Sequence, residues 1–232
     1  MKAAVYHFTN RSHIRPKFNQ TQLENLRRFA FSLGFDEVDV YCDEYVWSSR
    51  HSEFDRFMSC HKQYDALVLK DFDHFGDNTI SCIRRMQDLL HDGIRIYTID
   101  DGQFSDAGTP LQYPYRVATY YCSTCAQFKS AQVISVQNEI LRLFVEKRTN
   151  WTIINQYADS TTRQKTKGAQ SELGRLLSNR DQFDIVLVHN LNNIHWRVKE
   201  FSKYRRKLGL DIYSLQDGYL RFVDPSDRNA LL

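Results

Sequence analysis

The sequence has little that would tie the protein to a membrane or to an oxidising compartment. No apolar run in its 232 residues approaches the ~18 residues of a membrane-spanning helix. Its five cysteines are an odd number, which argues against a disulfide framework. Residues 1–6 predict a first β-strand rather than a signal peptide. These absences predict a protein of the reducing cytoplasm with no membrane partner.

A strong excess of one charge is also lacking. The chain has 31 lysines and arginines against 28 aspartates and glutamates, and its net charge is +3. This near-balance neither requires nor excludes nucleic acid, because a local basic patch matters more than the sum. A hydrophobic content of 42% supports a core for one large domain or two small ones.

What the chain does contain is a repeat with a period of half its length. Residues 96–102 return with few changes as residues 212–218, and 212 − 96 = 116. The pair Tyr41-x-Asp43 and Tyr157-x-Asp159 has the same spacing, because 157 − 41 = 116. A period this long indicates duplicated domains rather than the small units of a solenoid.

Strand-like and helix-like segments alternate in both halves. Near-continuous apolar runs at residues 65–69 and 184–188 are typical of parallel strands buried on both faces. The alternation predicts an α/β fold with two tandem three-layer α/β/α domains and mainly parallel sheets. We place the first repeat at residues 1–104, a linker at 105–115, and the second repeat with a short tail at 116–232.

Helical periodicity adds detail to the second repeat. The segment 133–145 has apolar residues that we expect to face mostly inward, among them Val136, Ile140 and Leu143.

Several motifs occur in the same order in the two halves. The first half has Tyr41-x-Asp43, then residues 64–73, where Tyr-Asp, an apolar run, a lysine and two aspartates follow one another. The second half has residues 135–139 on its first helix and then Tyr157-x-Asp159. In this order the motifs resemble the N-terminal catalytic domain of serine recombinases, the resolvase/invertase family. The resemblance spans nearly the whole chain and implies two resolvase-like units.

The resemblance also implies which positions carry the chemistry of that family. There a serine attacks a DNA phosphodiester, and arginines neutralise the charge that develops on the phosphate. The nucleophile position holds Asn10 in the first half and Thr124 in the second. The family's Asp-Arg-x-x-Arg segment becomes residues 73–77 and 192–196, without arginine. We therefore predict that neither half is catalytic. The family positions that remain recognisable are Tyr6, Asp43, Arg50, Asp73, Tyr120 and Asp159.

Carboxylates at predicted strand ends leave an enzymatic alternative open. Asp43, Asp71 and Asp73 follow strands, and the carboxyl ends of parallel strands face one crevice. Mg²⁺ prefers such oxygen ligands and supports phosphodiester cleavage. Asn192 and Gln216 replace acids in the second half, which argues against a metal. We expect no cofactor, with a metal-dependent nuclease or phosphoesterase, or a residual recombinase, as the alternatives.

Two basic segments are candidates for binding phosphate or a protein partner. One is the loop after Tyr157-x-Asp159, and the other is the predicted helix at residues 196–208. Their basic residues are Arg163, Lys165 and Lys167 in the loop, and Arg197, Lys199, Lys203, Arg205 and Arg206 in the helix. The plainer interpretation of the helix is a solvated amphipathic face, with Val198, Phe201 and Leu208 toward the core.

Cys122-x-x-Cys125 is the only closely paired cysteine motif. A single pair lacks the second pair that a tetrahedral zinc site requires, so we interpret these as ordinary thiols.

These features predict a protein that acts by binding rather than by catalysis. The expected partner is a recombinase or another DNA-processing protein of a mobile element, with DNA as a second candidate ligand. The two halves are expected to form an intramolecular pseudo-dimer. A protein inhibitor or decoy that never contacts DNA is the other alternative. No segment resembles a helix-turn-helix, so we do not expect a dedicated sequence reader.

Overall fold

The computed structural model describes residues 1–9, 16–44, 52–75, 78–105, 114–122, 131–159 and 171–222. Its elements follow the same order in the two halves. The first half contains β1 (Lys2–Thr9), α1 (Pro16–Ser32), β2 (Glu37–Glu44), α2 (Ser52–Cys60), β3 (Ala66–Leu69), α3 (Thr79–His91), β4 (Arg95–Thr98) and β5 (Gly102–Ser105). The second half contains β6 (Tyr115–Cys122), α4 (Ala131–Glu146), β7 (Trp151–Asp159), α5 (Glu172–Ser178), β8 (Ile185–Val188), α6 (Val198–Leu208), β9 (Asp211–Ser214) and β10 (Gly218–Arg221).

All ten strands belong to one sheet, in the order β2-β1-β3-β4-β5-β10-β9-β8-β6-β7. The second half therefore mirrors the first across the β5–β10 pair. Strands β1 to β4 are parallel to one another, as are β6 to β9, whereas β5 and β10 are antiparallel to every strand they contact. The mainly parallel α/β fold is as predicted, but the halves share one sheet instead of forming two separate ones.

The two halves of the sheet are joined by β5 and β10, which lie in segments where the sequence predicted no strand. Leu220 of β10 lies opposite Phe104 of β5, flanked by the pairs of Arg221 with Gln103 and Tyr219 with Ser105. Because 220 − 104 = 116, the central pair joins two residues at the same position of the repeat. In the flanking pairs, the position after Phe104 in one half meets the position before Leu220 in the other, and the reverse. This is the self-complementary contact of a two-fold axis. The assignment of Ser105 to a linker is corrected, since it ends β5.

The glycines of the repeated segment make the turns into these strands. Gly102 has a φ of 85° and Gly218 a φ of 126°. Side chains with a Cβ rarely adopt this conformation, which glycine takes without steric cost. The turn reverses the chain after β4 and β9 and aligns β5 and β10 antiparallel to them. The repeated segment thus positions the joining strands.

Helices cover both faces of the sheet, as the three-layer prediction requires. α1 packs on the first half with Leu26 and Ala30, and α4 on the second half with Leu141 and Val145, in two separate clusters. The other face bears α2, α3, α5 and α6 over one core that runs through both halves. Core and sheet are therefore continuous across the junction.

One helix differs from the sequence prediction. On α4, Val136, Ile140 and Leu143 are 52%, 38% and 44% exposed, although we expected them to face inward. In a three-layer fold this helix buries only one stripe, and Leu141 and Val145 supply it. None of the described helices is both long and apolar enough to cross a membrane.

Candidate functional site

The retained tyrosine and aspartate of the first half meet at the carboxyl ends of β1 and β2. The Tyr6 hydroxyl donates to Asp43 Oδ2 at 3.1 Å. The same carboxylate accepts the backbone N–H groups of Glu53 and Phe54, each at 3.0 Å. These N–H groups belong to the first turn of α2, where an anion is favoured by the unpaired donors and the helix dipole. Burial, and then the charge of Asp43, raise the pKa of Tyr6.

The second half repeats this arrangement atom for atom. The Tyr120 hydroxyl donates to Asp159 Oδ2 at 3.2 Å. The carboxylate accepts the N–H groups of Glu172 at 3.0 Å and Leu173 at 2.9 Å, in the first turn of α5. In both halves the tyrosine–aspartate pair holds the start of a helix against the sheet.

The two positions that follow the family's aspartate have contacts of a different kind. His74 Nδ1 lies 2.8 Å from Asp71 Oδ1. Asn193 Nδ2 donates to the backbone carbonyl of Cys122 at 2.9 Å. The resemblance seen in the sequence implies an arginine at both positions, and here each side chain contacts the protein's own atoms.

Acidic groups gather at the strand ends of the first half. Asp71 and Asp73 follow β3, and Asp100 and Asp101 follow β4. The guanidinium of Arg206 reaches them from α6 of the other half, with Nη1 3.8 Å from Asp100 Oδ2 and 3.6 Å from Asp101 Oδ1. The site therefore combines four carboxylates with a cation from across the junction.

Burial governs the protonation of this acidic cluster. It raises the pKa of Asp101 to about 6 and, with the charge of Asp71, also raises the pKa of Asp73. Burial acts in the same direction on Asp71, but the hydrogen bond and charge of His74 outweigh it, so that this pKa is lowered. Nearby His7 has a pKa lowered to about 4 by burial and by the positive charge of His74.

The metal alternative required three aspartates in one group. Asp43 lies at the start of α2, whereas Asp71 contacts His74 and Asp73 lies beside Asp71. Among the residues that the structure describes, no group of three or more His, Cys, Asp and Glu side chains is arranged to hold a metal ion. Asp43, Asp71 and Asp73 are thus not brought together as ligands.

The two halves cross at their third helices. Asn78 and Arg197, which precede α3 and α6, form an antiparallel β-bridge. Thr79 donates from its backbone to the Trp196 carbonyl at 2.9 Å and from its hydroxyl to the His195 carbonyl at 2.7 Å. The crossing brings Arg206 over the strand ends of the first half, and α3 over those of the second.

The strand ends of the second half, below α3, have neutral amides where the first half has acids. Asn190, Asn192 and Gln216 occupy the positions of Asp71, Asp73 and Asp100, because 190 − 71 = 119, 192 − 73 = 119 and 216 − 100 = 116. Gln87 lies at the position of Arg206, since 206 − 87 = 119, and its Nε2 donates to the Asp217 carbonyl at 3.1 Å. Sequence reasoning missed Gln87. α3 begins at Thr79 and α6 at Val198, so that 198 − 79 = 119. This offset identifies Gln87 as the residue equivalent to Arg206.

The structure separates the basic residues that the sequence grouped on one helix. Arg205 is completely buried, which corrects its assignment to a phosphate-binding face. Arg206 contacts Asp100 and Asp101, while Lys203 lies 3.4 Å from Glu200. Lys199 and Arg197 are exposed. The predicted positions outside the described residues are Asn10, Arg50, Thr124, Cys125, Arg163, Lys165 and Lys167.

Comparison with known proteins adds one family. The model of the family described as "Resolvase, N terminal domain" matches residues 15–133. None of the curated proteins matches the chain.

Similar solved structures include a resolvase family site-specific recombinase from Streptococcus pneumoniae, at 16% identity and a TM-score of 0.37, covering 50% of this chain and 82% of that one. A periplasmic solute-binding protein of an ABC transporter from Actinobacillus succinogenes has 11% identity, a TM-score of 0.28 and coverages of 83% and 70%. SirB from Bacillus subtilis has 12% identity, a TM-score of 0.29 and coverages of 100% and 93%. Likenesses at these TM-scores do not bear on function.

Proposed function

Because the chain belongs to the family of the resolvase N-terminal domain, we propose that it is a catalytically degenerate, serine-recombinase-like protein that acts by binding. In this proposal the two halves are a duplicated unit, and their shared sheet makes the chain a built-in pseudo-dimer. The protein takes part in the recombination of a mobile element, or in its regulation, as a partner of a recombinase.

The observation that carries the proposal is what the side chains at the family's phosphate-binding positions contact. His74 and Asn193, which replace arginines of the family, are directed to Asp71 and to the Cys122 carbonyl. Phosphoryl transfer depends on cations that are already placed around the developing charge. A carboxylate cluster with one arginine repels a phosphodiester instead. The family's nucleophile positions hold Asn10 and Thr124 instead of serine, and the described residues at the arginine positions supply no cation for a phosphate.

The retained positions are consistent with selection for shape. Tyr6 with Asp43 and Tyr120 with Asp159 stabilise the starts of α2 and α5. A scaffold that has lost its chemistry but keeps these contacts can still present the surface of a recombinase. This supports a binding function rather than decay of the whole fold.

An apolar stripe on α4 supports a protein partner rather than DNA. Val136, Ile140 and Leu143 lie on one face of the helix and are exposed. Leu26 and Ala30 of α1 are buried in the first half, as Leu141 and Val145 of α4 are in the second. Both comparisons give the same offset between the two helices, because 141 − 26 = 115 and 145 − 30 = 115. At the same offset the positions of the stripe hold Thr21, Asn25 and Arg28 in α1. Exposed apolar groups at such positions are typical of protein interfaces. The proposed occupant is the catalytic domain of an active recombinase of this family.

Catalysis is tested by incubation with labelled duplex DNA and with supercoiled plasmid, in parallel with an active serine recombinase. We expect no covalent protein–DNA adduct and no nicking. An adduct that disappears in the Thr124→Ala variant would overturn the catalytic part of the proposal.

Binding is tested by light scattering on mixtures with a family recombinase domain, such as the one from Streptococcus pneumoniae. The variant Val136→Thr/Ile140→Asn/Leu143→Arg gives α4 the surface of α1 and should abolish the complex. Ile154→Thr, which changes an apolar residue 43% exposed on β7, is the matched control and should not. If the wild-type protein forms no complex but retards DNA in a mobility-shift assay, the partner is DNA and the proposed protein interface is wrong.

A further inference from the structure

A cavity of about 250 Å³ lies where α3 crosses the strand ends of the second half. Gln87 from α3 contributes to its wall, together with Asn190 and Asn192 after β8 and Gln216 after β9. Open α/β sheets bind their ligands at the carboxyl ends of parallel strands. This cavity has that location, and both halves of the chain are needed to form it.

Hydrogen-bonding groups inside the cavity are left without partners. Asn192 Oδ1 is buried and accepts no hydrogen bond. Asn190 Oδ1 accepts the N–H of Asn193, but the Asn190 side-chain N–H groups have no acceptor in the described part of the chain. The exposed side-chain amide of Gln216 makes no hydrogen bond within the same residues. Buried polar atoms normally find a partner, so Asn192 Oδ1 is available to a ligand. The half-buried amide of Asn190 and the exposed amide of Gln216 lie beside it at the wall of the cavity.

The charge at this crossing also differs from that of the first half. The positions of Asn190, Asn192 and Gln216 are acidic there, and Arg206 contacts Asp100 and Asp101. In the second half these three are neutral amides. The carboxylate that remains in the wall, Asp217, accepts the Leu191 N–H and the Ser214 hydroxyl. Arg84 adds a positive charge to the wall.

Part of the remaining wall is apolar. Ile80 and Ile83 of α3 face the cavity opposite the amides of the loops. A flat heterocycle with donors and acceptors along its edge fits such a combination, because its faces pack on aliphatic groups and its edge pairs with amides. Asn and Gln pair with adenine through two hydrogen bonds, to N6 and N7. The volume lies just below the ~300–1,000 Å³ of sites for drug-sized ligands, which suits a base whose phosphate extends to the exposed side chain of Arg84.

We propose that this cavity binds an adenine nucleotide, with the base held by the amides of Asn192 and Gln216 and the phosphate by Arg84. The site goes beyond the proposed function and does not depend on it. The same chemistry is present in a free mononucleotide and in an unpaired nucleotide of single-stranded DNA.

Calorimetry with the full chain tests the site. We expect saturable binding of adenosine 5′-monophosphate, weaker binding of adenosine, and none of ribose 5-phosphate. Oligo(dA) distinguishes the two sources: if it binds at least tenfold more tightly than the mononucleotide, the natural ligand is a single strand, and otherwise a free nucleotide.

Variants that place residues of the first half at the equivalent positions of the cavity test which side chains bind the ligand. Asn192→Asp with Gln216→Asp installs the acids of the first half and should weaken binding of the mononucleotide more than tenfold. Arg84→Gln should weaken the mononucleotide about tenfold and leave adenosine unchanged. Asp73→Asn, the equivalent position outside the cavity, is the control and should change affinity less than twofold.

Ile80→Trp provides a test that does not alter the amides. Ile80 is 48% exposed, so the larger side chain is tolerated by the fold and fills the cavity. Binding should be lost while the melting temperature stays within a few degrees of that of the wild type. The proposal is overturned if the wild-type chain binds none of the adenine ligands, if ribose 5-phosphate binds as well as the nucleotide, or if Ile80→Trp leaves binding unchanged.

Discussion

Arg205 lies at the position in the second half that Met86 occupies in the first, since 205 − 86 = 119. Both side chains are buried in the core shared by α3 and α6. The guanidinium of Arg205 has no hydrogen-bond acceptor in the described residues, although its carbon lies 4.9 Å above the ring of Phe222. Burial lowers its pKa to about 10.

We expect Arg205→Met to stabilise the protein, because an unpaired buried cation costs several kcal/mol and methionine already fills the equivalent position. The free energy of unfolding should rise by about 1–4 kcal/mol, measured by urea denaturation. Arg206→Met is the control: it leaves Asp100 and Asp101 without their cation and should not stabilise. Loss of stability in Arg205→Met would mean that the guanidinium has a partner that balances its burial.

The junction of the two halves predicts how the chain unfolds. Phe104 and Leu220 are buried and paired at the two-fold axis. Leu220→Ala should lower the free energy of unfolding by about 2–5 kcal/mol, the usual cost of such a truncation in a core. Because sheet and core are continuous, calorimetry should give one cooperative transition, with equal van't Hoff and calorimetric enthalpies. Two separate transitions, of which only one is shifted by the variant, would contradict a shared fold.

The retained aspartates should act equally in the two halves. Asp43→Ala and Asp159→Ala each remove two acceptors from backbone N–H groups at a helix start. Each should lower the free energy of unfolding by about 1–3 kcal/mol, the cost of leaving such donors unpaired. Tyr6→Phe keeps the carboxylate and should cost less. A Tyr6→Phe effect larger than that of Asp43→Ala, in the same denaturation assay, would place the stabilising role on the hydroxyl.

Asp101 should make the protein less stable as the pH rises. Its pKa is raised from 3.8 to about 6 on folding, so the folded state holds the proton more tightly than the unfolded state. The stabilisation is complete below pH 3.8 and is lost as the pH rises through 6, by about 3 kcal/mol. Asp101→Asn removes this dependence, and its stability relative to the wild type should increase between pH 4 and pH 7. A constant difference over that range would contradict the pKa.

His7 should act in the opposite direction. Its pKa is lowered from 6.5 to about 4, so the folded state disfavours the proton. Its contribution is complete above pH 6.5 and falls by up to about 3 kcal/mol as the pH is lowered to 4. Tyr121 is the equivalent residue in the second half, because 121 − 7 = 114 and Tyr120 pairs with Tyr157 as Tyr6 does with Tyr41. His7→Tyr should therefore become more stable relative to the wild type as the pH falls from 7 to 4.

Patterns within short stretches of sequence determined much of this protein. The apolar runs gave β3 and β8 correctly, and helical spacing placed Val198, Phe201 and Leu208 of α6 in the core. The same spacing puts Arg205 on that face, four residues after Phe201 and three before Leu208. Its positive charge led to the wrong assignment, because a charged residue at a core position is rare.

The sequence by itself determined the family and the order of the elements apart from β5 and β10, and it predicts the repeat and the loss of the recombinase's catalytic residues. Only the tertiary structure decided how the halves meet. β5 and β10 have four residues each, and each finds its partner 116 positions away, since 218 − 102 = 116. Pairing over such a distance leaves no local periodicity to detect. The crossing that brings Arg206 to Asp101, and α3 to the amides of the second half, follows from that pairing.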